Sequence, residues 1–278
     1  MFATYSSGLK TGRDAWCYSS SRTGLTASID EFTTQYREVQ AQFAAYCANT
    51  GETKPSQDTA TDFLAANPDL TVTGRISWNR GLRNDLAKGT EITFAEDSVR
   101  LGNYRPFNRQ WTYLDRRVND MIYQIPAMFP TPHHRNVGIY QVGNGSAVPF
   151  SVLMTDCLPD LHVTGAGSGG QFFTRWTYVK AESADGELDF ASAETAEVDE
   201  YGYRRVDDIT VGILTLYRDT VGDQVTKEDI FYYVYGLLHD PAYRENYAAD
   251  LKKMLPHIPT PESRERFEQL GRCGPATF

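Results

Sequence analysis

From Ile29 to Tyr46 the large apolar side chains recur at three- and four-residue steps: Ile29, Phe32, Tyr36, Val39, Phe43, Tyr46. This spacing predicts a long helix with one buried stripe. Ser28 with Glu31 has the form of a capping box and marks the predicted start, and Asn49 with Gly51 marks the stop. The polar stretch 52–61, with Pro55, predicts a loop. A short helix is predicted over 78–88, where Trp78, Leu82 and Leu86 share a face and Gly89 suits the left-handed position after its end. Arg80 and Arg83 lie on the opposite face.

The texture changes between 136 and 180. Runs at 137–142, 148–154, 161–164 and 172–179 are β-branched or aromatic and are punctuated by Gly, Pro and Asn, which predicts a sheet with prominent loops. The stretch 181–203 is poor in large apolar residues and predicts a loop. Helical patterns return at 207–218, at 226–239 with Thr226 as N-cap, at 241–254 with Pro at the first position, and at 261–272. The order helix, helix, sheet, helices predicts an α+β fold, a mixed or mostly antiparallel sheet with presenting loops between N-terminal and C-terminal helices.

Composition narrows the class. With 41% hydrophobic and 23% charged residues in 278, the chain is a folded protein with a core of its own. Its longest apolar run, 230–238, is far shorter than the roughly 20 residues a membrane span needs. The first thirty residues carry no apolar signal region, so the expected location is the cytoplasm. Cys17, Cys47, Cys157 and Cys273 are widely separated, and the five histidines lack ligand spacing, so free thiols and no metal site are expected.

The net charge of −9 argues against nucleic acid until its distribution is read. Eight Asp or Glu and no Lys or Arg fall between 181 and 200, whereas 75–135 holds ten Lys or Arg against six Asp or Glu. The chain thus has an acidic loop and a basic middle. Within that middle, Tyr104-Arg105-Pro106-Phe107-Asn108-Arg109-Gln110-Trp111-Thr112-Tyr113, followed by Arg116 and Arg117, interleaves cations, aromatics and amides. Guanidinium groups suit phosphates and guanine edges, and amides suit adenine. The same residues also suit a buried turn with Arg105 paired to a carboxylate.

Catalytic patterns are weak. Gly165 to Gly170 formally matches G-x-G-x-x-G and nearly matches a G-x-S-x-G elbow, but both need a helix next, and the predicted strand 172–179 follows instead. The sequence contains no phosphate loop and no Asn-Pro-Pro-Tyr or Asp-Pro-Pro-Tyr, and no Glu-x-Lys follows Pro159-Asp160 at the spacing a nuclease needs.

Three segments carry a resemblance: Gly8-Leu9-Lys10-Thr11-Gly12-Arg13-Asp14-Ala15-Trp16; Tyr104-Arg105-Pro106-Phe107; and Lys227 through His239 with Tyr243-Arg244-Glu245-Asn246-Tyr247. Together they resemble the C-terminal target-recognition region of single-polypeptide Type ISP restriction-modification enzymes. The resemblance implies sequence-specific recognition of duplex DNA, in a segment without catalysis of its own. It also implies upstream nuclease, ATPase, coupler and adenine N6-methyltransferase domains, with S-adenosylmethionine, ATP and Mg bound there and no cofactor in this segment. On this reading 1–75 is a helical segment continuing from the methyltransferase, and 76–278 is the recognition domain with acidic loop 181–203 and helices within 207–272. Partners are duplex DNA and the upstream domains, with no membrane.

Segments shared by enzymes that read different sites are expected to be scaffold, which places base reading in variable loops. The candidate DNA contacts are Arg80, Arg83, Arg105, Arg109, Arg116 and Arg135 together with Gln141, Asn144, Ser168, Gln171 and Arg175. Two other functions fit the residues: a structural module that docks the methyltransferase or coupler, favoured by an apolar first helix without a basic groove, and an enzyme acting through the 165–170 loop.

Overall fold

The computed structural model describes residues 1–165, 167, 169–181 and 197–272. The chain forms two compact units, one of Leu9–Ile122 and one of Met1–Gly8 with Tyr123–Phe278. The chain opens with β1 (Ser6–Ser7). The unit Leu9–Ile122 holds α1 (Asp14–Cys17), β2 (Tyr18–Ser19), α2 (Arg22–Thr50), α3 (Gln57–Ala66), α4 (Arg80–Ala87), β3 (Val99–Arg105) and β4 (Asn108–Tyr113). Then come α5 (Ile125–Met128), β5 (Gly138–Gln141), β6 (Val152–Thr155), β7 (Leu158–Pro159), β8 (Gln171–Thr174), β9 (Trp176–Lys180) and β10 (Tyr203–Asp207). Four helices close the chain: α6 (Val211–Val221), α7 (Lys227–His239), α8 (Pro241–Asn246) and α9 (Arg264–Gly271). The fold is α+β, and the pairings given below are antiparallel.

In the unit Leu9–Ile122, β4 pairs with both β2 and β3. The stripe of α2 packs on this small sheet: Leu25, Ile29, Phe32 and Tyr36 share a core with Ile76, Leu82, Ile92, Val99, Tyr113 and Val118. The far end of α2 packs Val39 and Phe43 against Phe63, Leu64 and Leu86. The helix starts seven residues before the predicted Ser28, at N-cap Ser21, whose side chain accepts from Gly24 N–H; Leu25 continues the stripe backwards and Gly24 had obscured it. The predicted loop 52–61 gives way at Gln57 to α3, capped by Ser56 and Thr59. The expected boundary at 75/76 falls inside this unit, since α2 and residues after 76 bury the same core.

One buried arginine ties that unit together. Arg13 donates to Ser77 O at 2.9 Å, to Val118 O at 2.6 Å and to Asn79 Oδ1 at 2.9 Å. Neutral acceptors from two chain segments, 77–79 and Val118, thereby hold three of its N–H groups, and the residue is part of the scaffold. Burial pushes the neighbouring Cys17 thiol up to about 12, which makes it an unreactive thiol.

In the other unit, β8 lies between β1 and β5, and β5 pairs onward with β6. One side of this sheet packs Ile139, Val152 and Met154 against Tyr217, Ile230, Phe231, Val234, Leu237 and Phe267 of the helices. A separate ribbon pairs β9 with β10. Thr226 caps α7 in a full capping box with Asp229, at the predicted position. The predicted strand 161–164 is a turn, because Leu161 O accepts from Tyr140 Oη at 2.8 Å and from Gly170 N at 2.7 Å. The predicted helix 207–218 starts later, since Asp207 still belongs to β10, and 241–254 stays helical only to Asn246. No helix among the described residues is long and apolar enough to cross a membrane.

Candidate nucleic-acid interface

Within the basic middle of the chain, 99–113 folds as a β-hairpin, which the sequence reading missed. Val99 lies opposite Tyr113, Leu101 opposite Trp111 and Asn103 opposite Arg109. Alternation of side chains puts these pairs on one face. At its inner end Val99 and Tyr113 enter the α2 core, and Tyr113 Oη accepts from Ala95 N at 2.8 Å. Further out, the Arg22 guanidinium lies 5.5 Å from the Trp111 ring centre. At the outer end, beyond an irregularity between Asn103 and Arg105, the strands are joined by Pro106 and Phe107, and Arg109 is exposed.

The hairpin end is built rather than loose. The Arg105 guanidinium sits 3.9 Å over the Tyr104 ring, and its Nη1 donates to Tyr104 O at 2.5 Å. Tyr104 packs in a tilted arrangement against Tyr18 of β2, ring centres 4.6 Å apart, and its hydroxyl donates to Asp14 Oδ2 at 3.1 Å. Arg105 is therefore part of a stacked brace and remains half-exposed. The buried-turn reading is overturned, since Pro106, Phe107, Asn108 and Arg109 are all exposed.

The other candidates in this unit lie elsewhere on it. Arg80, on α4, is exposed and donates to Gln57 Oε1 at 3.2 Å, while Arg83 is half-buried and its Nε lacks a hydrogen-bond partner. Arg116 is exposed in the turn that follows β4.

In the other unit the candidates divide sharply. Arg135 and Asn144 are exposed. Gln141 is 1% exposed and stands opposite Gln171 in the β5–β8 pairing, so neither is displayed on a loop as expected. Arg175 is 7% exposed, ion-paired with Asp207, and 5.3 Å from the Trp176 ring centre. Burial works against its charge, and nearby Glu228 favours it. Its expected place in a reading loop is thereby corrected: the strand break between β8 and β9 turns it inward. Ser168, and the greater part of the acidic loop 181–203, lie outside the described residues.

The glycine-rich stretch has a packing reason. A Cβ on Gly170 would come 1.9 Å from Tyr140 Oη, and one on Gly169 would come 2.7 Å from Leu161 Cδ1. Strand β8 follows directly, with no helix to face a phosphate.

One cluster escaped the sequence reading because its members are remote in the chain. Thr131 Oγ1 lies 2.6 Å from His134 Nδ1, and His134 Nε2 lies 2.8 Å from Asp199 Oδ2. Burial alone would raise the Asp199 carboxyl, but bonds from Tyr203 N–H, His134 and Tyr201 N–H hold it below the usual carboxylate range. The rings of Tyr178, Tyr201 and Tyr203 surround the imidazole. Thr131 Oγ1 also accepts from His133 N–H at 3.2 Å, so this is a clasp closing two turns. Among the described residues no group of three or more His, Cys, Asp or Glu side chains is arranged to hold a metal ion.

Fold and site together define an α+β protein of two units, one of which presents arginines and an unshielded aromatic on a braced hairpin. The chain belongs to the Type ISP C-terminal specificity domain family, whose model matches residues 1–276. No curated protein matches it. Among solved structures it is similar to a nuclease-deletion mutant of the Type ISP restriction-modification enzyme LlaGI in complex with a DNA substrate mimic, with TM-score 0.73 and 27% identity over 98% of this chain. A DrdV–DNA complex gives TM-score 0.75 and 28% identity over 98% of this chain. The ATP-dependent Type ISP restriction-modification enzyme LlaBIII bound to DNA gives 0.72 and 25%, also over 98%. The chain spans 21%, 22% and 15% of those three proteins respectively.

Proposed function

We propose that this chain recognises a target sequence in duplex DNA for a Type ISP-like restriction-modification polypeptide. The observation that carries the reading is the similarity over 98% of the chain to proteins solved with DNA, within a family of specificity domains. The exposed arginines on α4, on the hairpin and after β4 supply phosphate-binding groups in a chain whose average charge is negative. On this reading methylation, ATP hydrolysis and cleavage belong to other domains of the parent polypeptide, which also bind S-adenosylmethionine, ATP and Mg. The place of action is the cytoplasm.

The test is fluorescence anisotropy of the chain with a random duplex pool at rising salt. Binding is expected at low salt and should weaken by about tenfold or more on reaching moderate salt, because each phosphate contact releases a counterion. The double variant Arg80→Ala/Arg83→Ala and the single variant Arg109→Ala should each lower affinity and flatten the salt dependence. Absence of binding at the lowest salt overturns the reading and favours a docking module instead.

A further inference from the structure

Phe107 is anomalous in two independent ways. Its side chain is completely exposed, at 105% of the reference value, whereas the other large aromatics among the described residues are covered or about half covered. Its backbone is also left-handed, with φ of +59°. In the turn Arg105-Pro106-Phe107-Asn108, proline takes the first central position, where its fixed φ is an advantage, and Phe107 takes the second. A positive φ there is ordinarily served by glycine or asparagine, because a Cβ is disfavoured. Folding alone would be better served by either of those. An aromatic at this position is both strained and wet, the combination expected where a side chain serves binding.

The surroundings indicate what it meets. Arg105 and Arg109 flank the tip with positive charge, and Asn108 beside it is exposed. The stem behind it is held by the tilted packing of Tyr104 on Tyr18 and by the Tyr104 bond to Asp14, so the tip is presented on a fixed mount. Apolar side chains carried on such projections and flanked by cations separate stacked base pairs, the cations holding the phosphates on either side.

We propose that Phe107 is a wedge that enters the base stack of bound duplex DNA, with Pro106 stiffening the tip and Arg105 and Arg109 gripping the backbone beside the opened step. This inference rests on the DNA-recognition reading and goes beyond it by naming the residue that deforms the duplex. The hairpin then contributes to target choice indirectly, since pyrimidine–purine steps open at lower cost than others.

The experiment separates the two readings. A duplex is first selected from a random pool on the wild-type chain, and 2-aminopurine, which brightens when unstacked, is then placed at successive positions in it. The wild-type chain is expected to raise the fluorescence severalfold at one step. Phe107→Gly should lose that signal and bind about tenfold more weakly, while its melting temperature stays level or rises as the backbone strain is removed. Phe107→Trp should retain the signal. Arg109→Ala should weaken binding yet leave the signal at saturation.

Intact binding with no bright step, or Phe107→Gly binding as tightly as wild type, overturns the wedge and leaves DNA recognition standing. A lower melting temperature in Phe107→Gly assigns the residue to the fold and also overturns it. Failure of any duplex to be selected overturns both readings, and loss of a self-association or of a protein contact in Phe107→Gly without change in DNA affinity would assign the tip to a protein partner.

Discussion

Asp208 is a carboxylate whose ionisation the fold resists. It is fully buried; Oδ1 accepts from Thr4 N–H at 3.0 Å, and Oδ2 has no hydrogen-bond partner. Burial pushes its pKa up to about 7, the bond from Thr4 working in the opposite direction. An unfolded aspartate ionises near 3.9, so the folded chain keeps a proton that the unfolded chain has already lost. Stability from this group is complete below about pH 4, falls as pH rises to about 7, and is flat above, a difference of roughly 4 kcal/mol. Asp208→Asn, which keeps the acceptor and removes the charge, should raise the melting temperature over wild type by an amount that grows between about pH 5 and about pH 8. Thermal melts at the two pH values check this. The sequence placed Asp208 inside the predicted helix 207–218 and showed nothing of its burial. Gln141 and Arg175 teach the same point in reverse: polar letters in a loop-rich region suggested exposure, and the sheet covered both.

At the scale of elements, α7 was readable in the sequence because its signals agree. A capping box begins it and Ile230, Phe231, Val234, Leu237 and Leu238 repeat on its buried side. Gly236 within it was not readable. A Cβ there would come 2.0 Å from Leu270 O of α9, so the glycine marks the line where two helices touch backbone to backbone. Helix propensity alone says that Gly236→Ala stabilises by about 1 kcal/mol. The contact reverses the sign, since the overlap is with backbone that cannot rotate away, and the net effect should be a destabilisation of about 1–3 kcal/mol. Urea titration of the variant should show a lower midpoint. The hairpin β3–β4 escaped notice because its outer half, Asn103 to Gln110, sets Tyr104 and Phe107 among polar residues and Pro106 and gives no alternation to read.

At the scale of the whole molecule, the unit Leu9–Ile122 leaves and re-enters the chain through a paired neck. Lys10 and Met121 exchange backbone hydrogen bonds at 3.0 and 2.9 Å, and Lys10 Nζ lies 2.7 Å from Asp120 Oδ2. A fragment of residues 9–122 should therefore fold alone with a single cooperative urea transition. A fragment of 123–278 should not fold so well, since it lacks β1 and Phe2. That residue packs its ring against Phe173 at 5.3 Å and Phe231 at 6.2 Å. Circular dichroism and amide spectra of both fragments check the prediction, and equal cooperativity in the two would contradict it.

By itself the sequence determined the α+β class, most of the helices, the separation of acidic and basic stretches, and the resemblance to a specificity domain. These are properties of local spacing: an amphipathic repeat or a cap is complete within a dozen residues. The tertiary structure decided the unit boundaries, which polar side chains are covered, and the exposure of Phe107 at the end of a braced turn. Those depend on pairings such as Ser6 with Phe172 and on Arg13 meeting Val118, contacts between residues far apart in the chain whose partners no local pattern specifies.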